Sequence, residues 1–377
     1  MAVQRIVDGD GHVFEDIQGI ARFVPDAFQE ILEASNYQMY PTLDPFRPSL
    51  ARRQPGSFGG GKPVGPKEWM EFMETVGIET TILYPTAGLA YGNIPYAEWA
   101  ITLARAYNDW LAEQYLSKSP RFQGLGLIPM QEPEAALEEL RRIVTELGMV
   151  GAMLPSNGLN LLLGAKQYWP VYREAERLGC CLAVHGGNHG NFGFNGLPAF
   201  APAHALGHPY GIMNSLASIL FNGIFDKFPN IRIGFMEAGV AWLLMVLERF
   251  AGSYDAFHYQ DSREELARFK DNEKVSDYLI RQIQAGRLFV GCEGDEPALA
   301  YAVKVVGNEP FVYSSDFPHE VTSETCRKEI EELIENEDLT QADKGAILAH
   351  NAERFYRLRP SAATAGAGER AGIGRQK

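Results

Sequence analysis

Cysteine is scarce in this sequence and follows no binding pattern. The 377 residues contain four cysteines, and no two of them form a CxxC pair; they are Cys180, Cys181, Cys292 and Cys326. Disulfide scaffolds and thiolate zinc sites both need cysteines at regular spacings, so neither is expected here. Cys180 and Cys181 are instead predicted to be buried strand residues.

Two glycine motifs are missing as well. No GxGxxG segment stands between a strand and a helix, which argues against a dinucleotide-binding fold. No GxSxG segment occurs, which argues against a serine nucleophile on a strand-to-helix turn.

Positive charge is outnumbered by negative charge. The chain has 34 Lys and Arg against 48 Asp and Glu, a formal net charge of -14 at pH 7. Nucleic acids and anionic membrane surfaces bind basic faces, so the expected partner is a small-molecule substrate rather than a nucleic acid or a membrane. No apolar run approaches the roughly 20 residues of a membrane span. The N-terminus lacks a signal-peptide pattern, so a cytoplasmic location is predicted.

Eight short β-rich runs recur along the chain, with helical segments between them. They are residues 5–10, 80–85, 122–129, 149–155, 180–186, 231–237, 287–293 and 311–316. The intervening segments, such as 132–148, have apolar residues at helical spacing and end on glycine. Eight β-then-α units predict an α/β fold, a single-domain (β/α)8 TIM barrel over residues 1–359. The Gly- and Ala-rich residues 360–377 are predicted to be a flexible tail.

Long loops are predicted after the first and fifth strands. Residues 36–66 and 187–211 are rich in Pro, Gly and aromatic residues. Loops of this length in a compact domain are usually functional or disordered, and the aromatic content favours enclosure of a substrate. Phe46 is predicted to contact an apolar ring, and the guanidinium of Arg53 could bind a carboxylate or phosphate. Tyr84, in the second strand, and Glu296, in the CEGDEP segment, are two further predicted substrate-binding residues.

Acidic and histidine side chains follow several of the predicted strands. In RIVDGDGHVFED, strand alternation places Asp8, Asp10 and His12 on one face. His185, Glu237 and Asp316 end strands five, six and eight, and the carboxyl ends of barrel strands converge on one mouth. Carboxylate and imidazole ligands suit zinc, manganese or iron. A divalent metal site is therefore predicted, with four ligands: Asp10, His12, His185 and Asp316.

These motifs resemble those of the amidohydrolase superfamily. The similarity is greatest to the amidohydrolase-related branch, which includes aminocarboxymuconate semialdehyde decarboxylase and the resorcylate decarboxylases. It extends from Asp8 to about Leu358. The segments that carry it are VDGDGHVFE, AVHGG, GIFDKFPNIRIGFMEAGVAWLLMVLERF, CEGDEP, SSDFPHE and ILAHNAERFYRL.

The resemblance implies a mechanism and a cofactor. Asp10, His12, His185 and Asp316 match the metal ligands of the family, and Asp316 matches an aspartate that also relays a proton. A metal-activated water would attack a carbonyl group, so the first hypothesis is a hydrolase acting on an amide, lactone, thioester or C–C bond of a small, largely apolar or aromatic substrate. One divalent ion is implied, with zinc preferred and manganese as the alternative. A homodimer is also implied.

One departure from the family pattern bears on the activity. The decarboxylases have a histidine on strand six where this chain has Glu237, which could serve as a metal ligand or a general base but is a poorer proton donor. His204 or His208 could enter the site from the long loop, and His208 is predicted as an acid or hydrogen-bond donor. The predicted catalytic residues are Asp316, Glu237 and His208, while His319 steadies the strand-eight loop.

Two alternatives to the hydrolase remain open. The first is a non-oxidative, metal-dependent decarboxylase of an aromatic or unsaturated carboxylic acid. The second is a barrel that binds a ligand without catalysis.

Overall fold

The structure is a computed structural model that describes residues 5–33, 38–46, 64–260, 267, 269–270 and 272–358. The predicted tail at 360–377 and the predicted substrate-binding residue Arg53 lie outside the described residues. Of the helices described, none combines the length and apolar character that crossing a membrane requires.

Eight parallel strands form one sheet in chain order, which confirms the predicted barrel. The strands are β1 (Val7–Val13), β2 (Thr80–Pro85), β3 (Phe122–Leu127), β4 (Gly151–Pro155), β5 (Cys181–His185), β6 (Arg232–Met236), β7 (Leu288–Cys292) and β8 (Phe311–Tyr313). The first strand meets the loop after the last one: Asp316 N donates to Asp10 O at 2.9 Å, and His12 N donates to Phe317 O at 2.7 Å. The ring therefore closes at the two strand ends that carry predicted metal ligands.

Helices surround the strands. They are α1 (Ile17–Ala21), α2 (Asp26–Glu33), α3 (Pro66–Val76), α4 (Ala97–Leu111), α5 (Pro133–Thr145), α6 (Trp169–Leu178), α7 (Phe200–Phe221), α8 (Ile224–Lys227), α9 (Ala241–Phe257), α10 (Val275–Gln284), α11 (Leu299–Val306), α12 (Ser323–Glu335), α13 (Gln341–Gly345) and α14 (Asn351–Tyr356). Every residue of β3 to β8 except Gln123 is buried, as expected for parallel strands covered on both faces. Cys180 and Cys181 are both buried, as predicted, but only Cys181 is a strand residue, because β5 begins there.

The connection after β5 becomes helical earlier than the sequence suggested. Helix α7 begins at Phe200 and contains Pro209, so the second half of the predicted long loop is helix. Proline removes one helical hydrogen bond and usually ends a helix, which is why the GHPYG segment is typical of a turn. Burial of Gly207, Gly211 and Ile212 favours continuation of the helix through this segment. His204 and His208 therefore lie one turn apart on α7.

The two glycines of DGDGH let β1 lie close to its neighbours. A Cβ atom added at Gly9 would collide with Val312 of β8. One added at Gly11 would collide with the ring of Trp69 and lie 2.8 Å from Asp8 Oδ2. Trp69 Nε1 donates to His12 O at 3.0 Å, so the same indole supports the strand that carries the predicted ligands.

Gly11→Ala is expected to lower the free energy of unfolding by about 1–3 kcal/mol, because an added methyl group in a packed core forces its neighbours to move. Urea denaturation measures the loss. The matched control is Gly252→Ala in α9, where an added Cβ meets no atom within 4 Å, so stability should stay level or rise by about 0.5–1 kcal/mol. Equal stability of Gly11→Ala and the unchanged protein would refute the close approach.

Candidate active site

Three buried side chains at the ends of β1 and β5 point at one another. His12 Nε2 lies 3.5 Å from Asp10 Oδ1, and His185 Nε2 lies 3.2 Å from Asp10 Oδ2. One donor atom from each of the three residues lies within 4.8 Å of the others. The structure thus brings together three of the four predicted metal ligands.

The other ring nitrogens of the two histidines fix their orientation. His12 Nδ1 donates to Pro85 O at 2.9 Å, and His185 Nδ1 donates to Gly186 O at 2.7 Å. Because a carbonyl only accepts, each Nδ1 carries the hydrogen, which leaves Nε2 free to bind a cation. Metal-binding histidines usually have this arrangement.

The facing atoms lack hydrogen-bond partners. Asp10 Oδ1, His12 Nε2 and His185 Nε2 are buried and make no hydrogen bond. Burial holds the pKa of His12 well below its usual value, so its imidazole is in the neutral, ligating form. Burial also opposes charge on His185, but Asp10 and then Glu237 outweigh it and raise the pKa of His185 to about 9. A bound cation would replace that proton, so this donor set fits a divalent metal ion.

Asp316 follows β8 and borders this cluster. Its backbone is left-handed, with φ of 54°, a conformation that aspartate tolerates better than most residues. Asp316 Oδ1 lies 3.3 Å from His12 Nε2 and 2.6 Å from His319 Nδ1. Burial raises the pKa of Asp316 to about 6, although His319 acts in the opposite direction. Asp316 is therefore protonated more readily than an exposed aspartate.

His319 is held between the β2 and β8 ends. Its Nε2 lies 3.0 Å from Thr86 Oγ1, and its ring stacks on that of His12 at 4.1 Å between centroids. Burial disfavours the charged ring, but Asp316 outweighs burial and raises the pKa of His319 to about 9. A protonated His319 donates to Asp316 at 2.6 Å. Its predicted part in steadying the strand-eight loop is consistent with these contacts and stays a prediction.

Asp8 does not join the metal-binding cluster. The pairing of β1 with β2 shifts register between Asp8 and Gly11, so simple strand alternation does not hold there. The Asp8 carboxylate accepts from Thr81 Oγ1 at 2.6 Å, Ser315 N at 2.8 Å and Ser315 Oγ at 2.9 Å. The expectation that Asp8 shares a face with Asp10 and His12 is wrong, because Asp8 ties β1 to the segment that positions Asp316.

Glu237 follows β6 on the other side of His185. It also has a left-handed backbone, with φ of 54°. Its Oε2 lies 3.4 Å from His185 Nδ1 and 3.4 Å from His208 Nε2, and this buried atom makes no hydrogen bond. Burial would raise the pKa of Glu237, but His208, His185 and His319 outweigh it and hold that pKa well below its usual value. Glu237 is therefore an ionised carboxylate next to the cluster.

Beyond Glu237 lie three further imidazoles, those of His189, His204 and His208. His208 is buried, and its Nδ1 donates to His204 O at 3.2 Å. His189, in the loop after β5, is fully buried, and neither ring nitrogen has a hydrogen-bond partner. Burial, together with His208 and His204, lowers the pKa of His189 to about 4. The sequence analysis missed His189, and the only signal was a second histidine four residues after His185.

The loops after β1 and β5 meet at this mouth. His189 N donates to Leu43 O at 2.9 Å, and Asn188 Nδ2 donates to Thr42 O at 3.2 Å. The described part of the first loop, residues 38–46, thus contacts the loop that carries His189. This contact is what enclosure of a substrate by the two loops requires.

The remaining predicted substrate-binding residues occupy different surroundings. The Tyr84 ring lies 5.2 Å from that of His185, and its hydroxyl donates to Tyr356 at 2.7 Å. Glu296 accepts from Val240 N at 2.6 Å and Glu293 N at 2.9 Å, joining the loops after β6 and β7. Phe46 is 46% exposed. Substrate contact by these three residues stays a prediction.

Comparison with known proteins identifies the family. The amidohydrolase family profile matches residues 46–358. This chain belongs to the amidohydrolase family. The resemblance to this family shown by the strand-end motifs is thereby confirmed.

Relatives within the amidohydrolase family carry decarboxylase names. Gamma-resorcylate decarboxylase of Rhodococcus jostii is 28% identical over 308 residues, covering 77% of this chain and 86% of the relative. The 2-amino-3-carboxymuconate-6-semialdehyde decarboxylase of Dictyostelium discoideum is 26% identical over 277 residues, covering 73% of this chain and 72% of the relative. Among solved structures, 5-carboxyvanillate decarboxylase of Novosphingobium aromaticivorans, with manganese and 4-hydroxy-3-methoxy-5-nitrobenzoic acid, superposes with a TM-score of 0.72 at 18% identity, covering 94% of this chain and 97% of that chain.

The hydrolase hypothesis is wrong in the light of these relatives, which are named as decarboxylases. The hypothesis rested on Glu237 standing where decarboxylases have a histidine. Asp316 and His319, 2.6 Å apart at the same mouth, are two other groups that can carry a proton. The preference for zinc also receives no support, since the Novosphingobium structure contains manganese.

Proposed function

We propose that this protein is a metal-dependent, non-oxidative decarboxylase of an aromatic or unsaturated carboxylic acid. The observation that carries the proposal is the position of the Asp316 carboxyl group, 3.3 Å from His12 Nε2 in a cluster of unpartnered metal-binding atoms and 2.6 Å from His319 Nδ1. The decarboxylase names of the relatives support it. A cytoplasmic location and a homodimer stay predictions.

The proposed metal ligands are Asp10, His12, His185 and Asp316. A divalent ion held by these residues would supply positive charge to attract an anionic substrate and to stabilise negative charge in the transition state. Nitrogen and oxygen ligands accommodate both zinc and manganese.

Decarboxylation needs a proton at carbon. The bond between the substrate carbon and its carboxylate breaks, carbon dioxide leaves, and the electron pair stays on the carbon. Asp316 then gives its proton to that carbon, so a C–H bond replaces the C–C bond. His319 Nδ1, 2.6 Å from Asp316 Oδ1, returns a proton to the carboxylate, and a proton from water restores the imidazolium.

The loops around the mouth would support this step by excluding water. Water entering the mouth would stabilise the charged form of Asp316 and so lower the pKa that burial raises. The contact between residues 38–46 and the loop after β5 closes one side of the mouth. Glu237 and His208, 3.4 Å apart, border the same space, and their catalytic part stays a prediction.

The proposal is tested by carbon dioxide release. We expect metal-loaded protein to release carbon dioxide from at least one acid in a panel containing gamma-resorcylate, 5-carboxyvanillate and unsaturated dicarboxylates, and chelated protein to release none. Failure of fully metal-loaded protein on the whole panel would count against the proposal.

A further inference from the structure

We propose that the barrel mouth holds a second divalent transition-metal ion, bound by His204, His208 and Glu237. His204 and His208 are one turn apart on α7, and Glu237 follows β6. One donor atom from each residue lies within 4.8 Å of the other two. This site shares no ligand with the Asp10, His12 and His185 cluster and does not depend on the proposed reaction.

The spacing of the donor atoms suits one ion. Ligands about 2.0–2.2 Å from a shared tetrahedral ion stand about 3.3–3.6 Å apart. His208 Nε2 and Glu237 Oε2 are 3.4 Å apart, which is long for a charged hydrogen bond. The corresponding distances in the first cluster are 3.2 and 3.5 Å.

The donor atoms are also oriented for a cation. His208 Nδ1 donates to His204 O at 3.2 Å, so Nε2, which faces Glu237, is the nitrogen that a cation would bind in place of a proton. Glu237 Oε2 is buried and makes no hydrogen bond. A buried carboxyl oxygen without a hydrogen-bond partner is unfavourable, and a metal ion between it and His208 would remove that cost.

His189 gives the independent observation. Its fully buried ring has no hydrogen-bond partner at either nitrogen, and its centroid lies 5.3 Å from that of His208 and 5.8 Å from that of His204. An ion at this place, directly or through a bound water, provides the missing partner for His189. Imidazole and carboxylate ligands favour zinc, cobalt or nickel over calcium and magnesium.

The two sites are neighbours with separate donor atoms. His185 lies between them, with Nε2 facing Asp10 and Nδ1 bonded to Gly186 O. Nδ1 of His185 is therefore engaged and does not bridge two ions. The competing explanation is an ion pair between His208 and Glu237 without a metal, and it predicts one bound ion per chain.

Counting bound metal separates these explanations. Full-length protein is freed of metal with a chelator, titrated with cobalt(II), passed through a desalting column and analysed for cobalt. We expect two equivalents in the unchanged protein and one in the double variant His204→Gln, His208→Gln. His12→Ala should also retain one equivalent. His258→Ala is the matched control and should retain two, because His258 is exposed and makes the same type of Nδ1 bond, to Tyr254 O at 2.9 Å.

Saturation of the unchanged protein at one equivalent with cobalt, zinc and manganese would overturn the proposal, whether or not the variants fold. Two equivalents retained by a folded double variant would overturn it as well. If the buried position 208 does not tolerate glutamine, His204→Gln alone should weaken binding of the second equivalent by at least about 10–100-fold, the loss typical of removing even an indirect metal contact. The readout is metal content, so failure here is distinguishable from failure to release carbon dioxide.

Discussion

Asp316→Asn is expected to lower the rate of decarboxylation by at least about 10³-fold, within the range that general acids contribute. The amide has nearly the shape of the carboxyl group but cannot carry the proton to carbon. Asparagine also tolerates the left-handed backbone at φ of 54°, so the barrel should remain folded. The measurements are the initial rate of carbon dioxide release at saturating metal and the thermal midpoint.

Asp295→Asn is the matched control for that prediction. Asp295 is an exposed acid in the loop after β7, so its substitution should leave the rate within about two-fold. A rate for Asp316→Asn close to that of the unchanged protein would show that another group protonates the substrate carbon. Unchanged ligand affinity combined with no turnover by either protein would instead favour a barrel that only binds.

His12→Ala should remove one equivalent of metal and reduce the rate to that of chelated protein. His12 Nε2 lies 3.5 Å from Asp10 Oδ1 and 3.3 Å from Asp316 Oδ1. It is therefore the nitrogen that faces both proposed carboxylate ligands. Removing a residue that only supports a metal ligand weakens metal binding by about 10–100-fold, and removing a ligand itself should weaken it more. Elemental analysis of the two purified proteins, prepared identically, measures the difference.

His350→Ala serves as the control for His12→Ala, because His350 is an exposed histidine near α14. It should keep both its metal and its rate. Equal metal content in folded His12→Ala and His350→Ala would mean that the β1 and β5 ends do not hold the ion, and the proposed ligand set would have to be abandoned.

The barrel could be predicted from the sequence because its signal is local. Each strand is a short apolar run, and parallel strands covered on both faces need no alternation. The convergence of Asp10, His12, His185 and Asp316 follows from topology alone, since the carboxyl ends of barrel strands meet at one mouth. Those four positions were therefore within reach of sequence reasoning.

Other features depend on contacts between distant segments. The register shift in β1 sends Asp8 to Thr81 and Ser315, and strand alternation gave no sign of it. His189 is a single loop histidine, which has no spacing pattern. Helix α7 begins inside a segment rich in Gly and Pro, where composition favours a turn.

The activity was misjudged for a related reason. Glu237 was weighed against the histidine of the decarboxylases, residue for residue. The raised pKa of Asp316 comes from burial, against the opposing effect of His319, and only the assembled mouth shows these surroundings. A different residue at the end of one strand therefore says little about the reaction until the side chains at the neighbouring strand ends are known.

Deuterium incorporation tests the central claim most directly. Metal-loaded protein is incubated in D2O with an acid from the panel that it consumes, and the product is analysed by mass spectrometry while carbon dioxide is counted. The account predicts one carbon dioxide per product and one deuterium on the carbon that carried the carboxylate. Consumption of the acid without carbon dioxide, giving a product that has gained the elements of water, would contradict it.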